Sequence, residues 1–132
     1  FGADVIILEL GMDALAGDPL AHLHLTNNTH AGIVEALVEM SIPILATGGG
    51  GYHVENTVRG WVLCWSVLCG EHQDAYDFML GMGGVMMEST EWVGGLRDRS
   101  LLADGGIREN IDAEIDRVSK AIQTTLFPLH GL

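Results

Sequence analysis

The sequence predicts an α/β fold built around a parallel sheet. Two short apolar segments, residues 4–10 and 42–47, are each followed by glycine, and a stretch of helical periodicity lies between them. A strand, a helix and a second strand in that order form a βαβ unit, in which the strands run parallel with a right-handed crossover. The apolar fraction of 48% agrees with such a sheet, because strands buried on both faces lack polar alternation.

The first strand is predicted over residues 4–10, which are apolar and rich in β-branched side chains, and Gly11 ends it. Residues 11–27 are expected to form a long polar loop. The turn signals in this loop are Gly17, Asp18 and Pro19. The loop also places an acidic residue, Asp13, directly after the strand.

Between the strands, apolar spacing predicts a helix over residues 28–40, with Glu35 and Glu39 facing water. Its expected buried stripe consists of Ile33, Val34, Leu37, Val38 and Met40. The second strand is predicted over residues 42–47, where Pro43 is tolerated near the start.

The rest of the chain predicts two more helices. Residues 54–69 form the first, and Gly70 stands where helices commonly end with a left-handed residue. The expected apolar stripe of that helix consists of Val54, Val58, Trp61, Val62, Trp65 and Leu68. Residues 107–126 form the second helix, which Pro128 stops. Its stripe consists of Ile107, Ile111, Ile115, Val118, Ile122 and Leu126.

Residues 71–106 are less regular, and their methionines are expected to fill gaps in a core rather than bind metal. These residues are Met79, Met82, Met86 and Met87. Cys64 and Cys69 lack disulfide or zinc-finger spacing and are expected to be buried thiols. Without a visible signal peptide, this favours a reducing cytoplasm.

The charge balance excludes some partners. The chain has 6 basic and 18 acidic residues, a formal net charge of −12, so direct binding to nucleic acid is not expected. No apolar run reaches the roughly 18 residues that span a bilayer, so no membrane partner is expected.

The two predicted strands end in loops that carry reactive side chains. The first runs into Asp13 and the second into four glycines and Tyr52, so we expect both side chains at one rim of the sheet. A P-loop is excluded because Lys120 is the only lysine, and the glycine run also lacks the dinucleotide spacing and the serine of a nucleophile elbow.

These loops carry a family resemblance. The motif LGMDALAGDPL at residues 10–20 and the motif GGGGYHVENTVRGW at residues 48–61 are similar to the C-terminal part of the histone deacetylase family. The resemblance is closer to the prokaryotic branch that includes the acetoin-utilisation deacetylases. Residues 92–99 and 127–132 resemble the tail of that branch, so the similarity covers nearly the whole chain.

The resemblance implies the C-terminal part of an arginase-like or deacetylase-like three-layer fold with a parallel sheet. Residues 1–132 would then belong to one deacetylase domain, with a βαβα unit over 1–70 and the family tail over 71–132. It also implies a zinc-dependent amidohydrolase. Asp13 would be a zinc ligand, and Tyr52 would stabilise the oxyanion. Gly50 and Gly51 would line the acyl-lysine tunnel, with Leu20 at its rim.

The family's paired catalytic histidines and its Asp-x-His zinc ligands would lie upstream of this chain. His22 and His24 are expected at the surface or rim rather than on metal, and His53 beside the site or exposed. His30 is expected on the helix surface, and His72 and His130 in solvated loops. Asp18 is expected to accept hydrogen bonds within its loop. Arg59 is expected to brace the glycine loop or bind a carboxylate, and Trp61 and Trp65 to lie in the core.

Two functions follow as hypotheses. The first is that the chain is the C-terminal portion of a cytoplasmic zinc deacetylase acting on acetyl-lysine or a related acetyl amine, and is inactive alone. The second is a non-catalytic interaction or assembly module that retains the fold. Because the chain starts at Phe1 and two strands cannot cover their own edges, we expect an incomplete piece that forms homo-oligomers or binds the missing N-terminal part.

Overall fold

The computed structural model describes residues 2–71, 96–98 and 105–132. It divides into two compact units, Ala3–Ser100 and Leu101–Leu132 with Phe1–Gly2.

The sheet of the Ala3–Ser100 unit has two parallel strands. Strand β1, Ile6–Leu10, pairs with strand β2, Ile44–Gly48, in a register that sets Ile6 opposite Ile44 and Leu10 opposite Gly48. This confirms the predicted parallel pair. Both strands begin two residues later than predicted, and the Ile6 N–H donates to the Pro43 carbonyl at 2.8 Å as pairing starts.

Two helices complete this unit and pack against each other: α1, Asn27–Glu39, and α2, Val54–Leu68. Gly70 follows α2 with φ +75°, and its N–H donates to the Val67 carbonyl. This confirms the predicted helix end. A left-handed residue lets the last carbonyls of a helix find donors, and glycine adopts it without a steric penalty.

The core lies between β1, the loop that follows it, and both helices. Its buried residues are Leu10, Met12, Leu15, Ala31, Val34, Leu63, Cys64 and Val67. On the sheet, Leu8 and Ala46 pack against this cluster, while Ile7 and Leu45 on the opposite face are 73% and 56% exposed. Alternation along a strand produces this division, so one face of the sheet is open.

The predicted buried stripe of α2 is wrong for four of its six residues. The helix buries Gly60, Leu63, Cys64 and Val67, whereas Val54, Val58, Val62 and Trp65 are exposed. Both sides of this helix are apolar, so periodicity allowed two stripes. Gly60 selects one, because a Cβ atom there would lie 2.6 Å from the sulfur of Met12. Trp65 is therefore not a core residue, while Trp61 and Leu68 are partly buried against the core.

The predicted stripe of α1 is also wrong in part. The helix buries Asn27, Ala31 and Val34, and of the predicted stripe Ile33, Val38 and Met40 are exposed. Glu35 does not simply face water, because it accepts a hydrogen bond from Arg97 at 3.0 Å. The buried line is displaced toward the N-terminus of the helix, where Asn27 is fully buried.

The two thiols differ. Cys64 is buried, and burial raises the pKa of its thiol. Cys69 is exposed at the end of α2, so the prediction of a buried thiol is wrong for this residue. The helical turn between them places the two side chains in different surroundings.

The C-terminal unit consists of helix α3, Gly105–Thr125, and a short 3-10 helix, Phe127–His130. The helix predicted over 107–126 is confirmed, and Pro128 lies inside the 3-10 turn. The described members of its apolar stripe are all exposed: Ile111, Ile115, Val118, Ile122 and Leu126. None of the helices described is both long and apolar enough to span a membrane. The methionine-rich stretch and His72 lie outside the described residues.

Candidate functional site

The loops that follow the two strands contact each other at one edge of the sheet. After β1, the Met12 N–H donates to the carbonyl of Gly50, which follows β2, at 2.7 Å. This contact confirms that the two loops meet, while the convergence of the Asp13 and Tyr52 side chains stays a prediction. It continues the parallel pairing of the strands past their last registered pair, so β1 and β2 deliver both loops to the same place.

Asp13 lies half-buried in a cradle formed by glycine backbone. A Cβ atom on Gly11 would lie 2.9 Å from Asp13 Oδ1, and one on Gly50 would lie 2.6 Å from Asp13 Cγ. The carboxylate therefore fills the space that side chains at these two positions would need. Among the described residues, none donates a hydrogen bond or forms an ion pair to Asp13.

Other local contacts explain why glycine occupies positions 49 and 51 of the run. A Cβ atom on Gly49 would lie 2.8 Å from Gly11 Cα, so the two loop backbones are in direct contact there. Gly51 has φ +144°, and a Cβ atom would also lie 2.7 Å from Thr57 Oγ1. The close approach that these glycines allow is thus to the chain itself. The tunnel-lining role predicted for Gly50 and Gly51 stays a prediction.

Tyr52 is held through its backbone. Its N–H donates to Asp18 Oδ2 at 2.8 Å, and its side chain is 56% exposed. Leu20, predicted at the tunnel rim, is 61% exposed, and its N–H donates to Asp18 Oδ1 at 2.8 Å. The carboxylate of Asp18 therefore connects the turn at Leu20 to the backbone of Tyr52.

Asp18 is a buried loop acceptor, as predicted. Burial alone would raise the pKa of its carboxyl, but the backbone N–H groups of Tyr52, Leu20 and Ala21 donate to it. Together with the nearby charge of His22, these bonds lower the pKa below its ordinary value. The carboxylate is therefore ionised and held by three donors, which occupy its oxygens and leave Asp13 as the unengaged carboxylate of the two loops.

All the described histidines except His30 lie where they were predicted. His22 and His24 are exposed, as expected, and His130 is exposed in the 3-10 helix. His53 caps α2, where its Nδ1 accepts from the Asn56 N–H at 3.4 Å. His30 was expected on the helix surface, but its Nε2 lies 3.0 Å from the Gly11 carbonyl oxygen. No sequence motif signalled that contact, because nineteen residues separate the partners.

A second set of contacts joins residues 96–98 to the helices that support the loops. Asp98 accepts from the Asn27 N–H at 2.8 Å at the start of α1, and also from the guanidinium of Arg59 on α2. The Asn27 side chain returns the contact, accepting from the Asp98 N–H at 2.8 Å and donating to the Leu96 carbonyl at 2.7 Å. Arg59 therefore binds a carboxylate, which was one of its two predicted roles.

The fit of a metal can be tested on the donors present. Asp13 offers a half-buried carboxylate with two unengaged oxygens, a suitable ligand for a divalent cation. Within residues 2–71, 96–98 and 105–132, however, no group of three or more His, Cys, Asp or Glu side chains is close enough to hold a metal ion. These residues therefore fit a partial site with one ligand.

Comparison with known proteins gives a consistent result. A family model described as "Histone deacetylase domain" matches residues 1–68 of the chain. "Histone deacetylase 8" from Xenopus laevis is 33% identical over 70 residues, which cover 53% of this chain and 22% of that protein. "Histone deacetylase clr6" from Schizosaccharomyces pombe is 36% identical over 74 residues, 56% of this chain and 18% of that protein. The chain thus spans about a fifth of the length of the curated relatives it matches.

Proposed function

This chain belongs to the histone deacetylase family, and from that premise we propose that it is the C-terminal part of a zinc-dependent deacetylase. The family match agrees with the predicted deacetylase-like α/β fold and with the parallel pair of strands. The proposed reaction is hydrolysis of an N-acetyl-lysine or a related acetyl amide to amine and acetate.

The observation that carries the proposal is the carboxylate of Asp13. It follows a parallel strand and lies against Gly11 and Gly50, where a Cβ atom on either glycine would collide with it. No described residue donates a hydrogen bond to it. A structural carboxylate is normally satisfied, as Asp18 is by three N–H groups only five residues away. Of these two carboxylates, Asp18 is occupied by N–H donors and Asp13 is available to a cation.

In the proposed enzyme, Asp13 would supply one ligand and the remaining ligands would come from outside the described residues. When bound, zinc supplies a Lewis acid that polarises an amide carbonyl and activates water. The phenolic O–H of Tyr52 would donate a hydrogen bond to the substrate carbonyl oxygen, on which negative charge develops. Its 56% exposure and its fixed backbone support this role, because the hydroxyl can reach a substrate while the main chain stays in place.

We propose that the 132-residue chain alone is inactive. One carboxylate does not hold zinc tightly, and no catalytic base is assigned among these residues. Turnover of an acetyl-lysine peptide by this chain, with zinc added and the rest of the protein absent, would contradict the proposal.

The main experiment uses the complete polypeptide that contains this chain. Wild-type protein should deacetylate an acetyl-lysine peptide, lose activity with a chelator and regain it with zinc. Asp13→Ala should abolish the zinc-supported activity. Asp4→Ala removes an exposed aspartate near the other end of β1 and serves as the matched control that keeps full activity.

Tyr52→Phe separates the two assigned roles. It should lower kcat by about 100-fold to 1,000-fold, the usual loss for an oxyanion donor, while zinc affinity stays unchanged. Turnover near the wild-type value in this variant would contradict the oxyanion role without affecting the assignment of Asp13.

The finer assignments are also proposals. The acetoin-utilisation branch rests on the sequence motifs, while the relatives named above are eukaryotic proteins. A panel of acetyl-lysine peptides and acetylated small amines would test the substrate, and fractionation would test the cytoplasmic location. The open face around Ile7 and Leu45 supports association with a second copy or with the rest of the protein. A monomer by light scattering at high concentration would count against such self-association of this chain.

A further inference from the structure

The peptide unit between Gly11 and Met12 is held from both sides. Its carbonyl oxygen lies 3.0 Å from Nε2 of His30 on α1, and its N–H donates to the Gly50 carbonyl at 2.7 Å. A carbonyl oxygen only accepts hydrogen bonds, so Nε2 of His30 is the protonated ring nitrogen and its N–H donates the hydrogen bond. One peptide plane is therefore fixed between a helix and the glycine loop.

The other ring nitrogen of His30 is not satisfied in the same way. Nδ1 is buried, and within the part of the chain that the structure describes it has no hydrogen-bond partner. An unpaired buried nitrogen costs free energy. The histidine therefore carries that cost while its single N–H donor binds the Gly11 carbonyl. An apolar side chain at this position would avoid that cost but would lose the contact.

The fixed peptide lies one residue before Asp13, with only Met12 between them. Rotation of this peptide would turn the backbone that carries the Asp13 side chain, and the carboxylate would leave the space over Gly11 and Gly50. The carboxylate occupies the space that a Cβ atom on Gly11 or Gly50 would need, 2.9 Å from Oδ1 for the first and 2.6 Å from Cγ for the second. The two hydrogen bonds to the Gly11–Met12 peptide thus act one residue away from the backbone that carries this carboxylate.

We propose that His30 is a positioning residue for Asp13: it fixes the Gly11–Met12 peptide and so orients the carboxylate that binds the cation. The cation-binding half of this inference rests on the function proposed above. The half that concerns the peptide does not, because the two hydrogen bonds exist without any metal. Two measurements can separate these halves.

The experiment compares two substitutions in the complete polypeptide. His30→Leu keeps an apolar bulk but removes the donor, whereas His30→Gln places an amide N–H near the position of Nε2. Thr29→Leu is the matched control, since Thr29 is the exposed neighbour of His30 on α1. The first measurement is amide hydrogen exchange of Met12 in metal-free protein, and the second is zinc affinity by chelator competition.

In metal-free protein, exchange at Met12 should become faster in His30→Leu and remain slow in His30→Gln and Thr29→Leu. Zinc affinity should fall about 10-fold to 100-fold in His30→Leu, the usual loss when a residue behind a metal ligand is removed, and stay within about 3-fold in the other two. A role in stability alone would lower the melting temperature of His30→Leu without changing the zinc affinity of its folded fraction, and that result would overturn the inference.

Unchanged Met12 exchange in His30→Leu would also overturn it, whatever the enzyme does. If Met12 exchange responds as expected but wild-type protein binds no zinc and has no activity, the function proposed above fails and the inference fails with it in its cation-binding half. If wild-type protein binds zinc and His30→Leu binds it equally well, the inference alone fails.

Discussion

The Ala3–Ser100 unit and helix α3 differ in what fixes their residues. In the first, backbone atoms and the Asp13 carboxylate approach so closely that Gly49 and Gly50 have no room for a Cβ atom. In α3, the described side chains are exposed, including those of an apolar stripe along the helix. The difference shows that periodicity specifies that a helix exists, whereas close contacts specify the geometry of a site.

The largest expected difference between the two regions concerns apolar side chains. Leu63 in α2 is 3% exposed, whereas Ile115 in α3 is 54% exposed. Leu63→Ala should lower the free energy of unfolding by about 2–5 kcal/mol, because it removes buried methyl groups and leaves a cavity. Ile115→Ala should change it by less than about 0.5 kcal/mol. Chemical denaturation of the 132-residue chain measures both, and equal losses would erase the contrast.

The next effect concerns glycine. Gly49→Ala should lower the free energy of unfolding by about 1–3 kcal/mol, because its new Cβ atom would meet the Gly11 backbone and neither can move aside. Gly32→Ala in α1 is the control, since nothing lies within 4 Å of a Cβ atom there. That substitution should raise stability by about 0.5–1 kcal/mol through helix propensity. A stabilising Gly49→Ala would show that the two loops separate easily.

A smaller effect is expected for ion pairs. Arg59 and Asp98 pair with side chains 20% and 18% exposed, whereas Arg108 and Asp112 in α3 pair with side chains 67% and 62% exposed. Arg59→Met should lower the free energy of unfolding by about 1–2 kcal/mol, because it leaves a partly buried carboxylate short of a donor. Arg108→Met should change it by less than about 0.5 kcal/mol. A comparable loss in both variants would contradict the comparison.

The smallest effect is a pH dependence. The pKa of Asp18 is lowered in the folded chain, so its contribution to stability is fully present above the ordinary value of 3.8 and is lost as the pH falls through the folded value. Asp18→Asn should therefore melt at a lower temperature than wild type at neutral pH, with the gap narrowing below about pH 4. Thermal melts from pH 7 to pH 2 measure this gap. A gap that stays constant with pH would show that the charge of Asp18 is not the cause.

Much of the architecture was predictable from local patterns. The order strand–helix–strand–helix, the parallel pair, the helix end at Gly70 and the approach of the two loops all follow from segments whose chemistry agrees with their structure. Asp18 was predictable as an acceptor because a short carboxylate in a turn commonly binds the backbone a few residues on. These features depend on neighbours in the sequence.

The remainder depends on contacts between distant residues. The buried face of α2 was mistaken because the helix is apolar on both sides, and the choice depends on Gly60 admitting Met12. His30 reaches Gly11 across nineteen residues, and Asn27 and Asp98 exchange hydrogen bonds across seventy-one. Such partners leave no periodic signal in one sequence, although they join elements that support the candidate site.

One consequence follows from the way Asp18 binds Leu20, Ala21 and Tyr52 through the same carboxylate. These three hydrogen bonds connect the turn to the backbone of Tyr52, so a displacement of either is transmitted to the other through the Asp18 carboxylate. A displacement of Leu20 would therefore also move the backbone from which the Tyr52 phenol extends. In the enzyme proposed above, compounds that differ only in the group that contacts Leu20 would then differ in how well Tyr52 holds them.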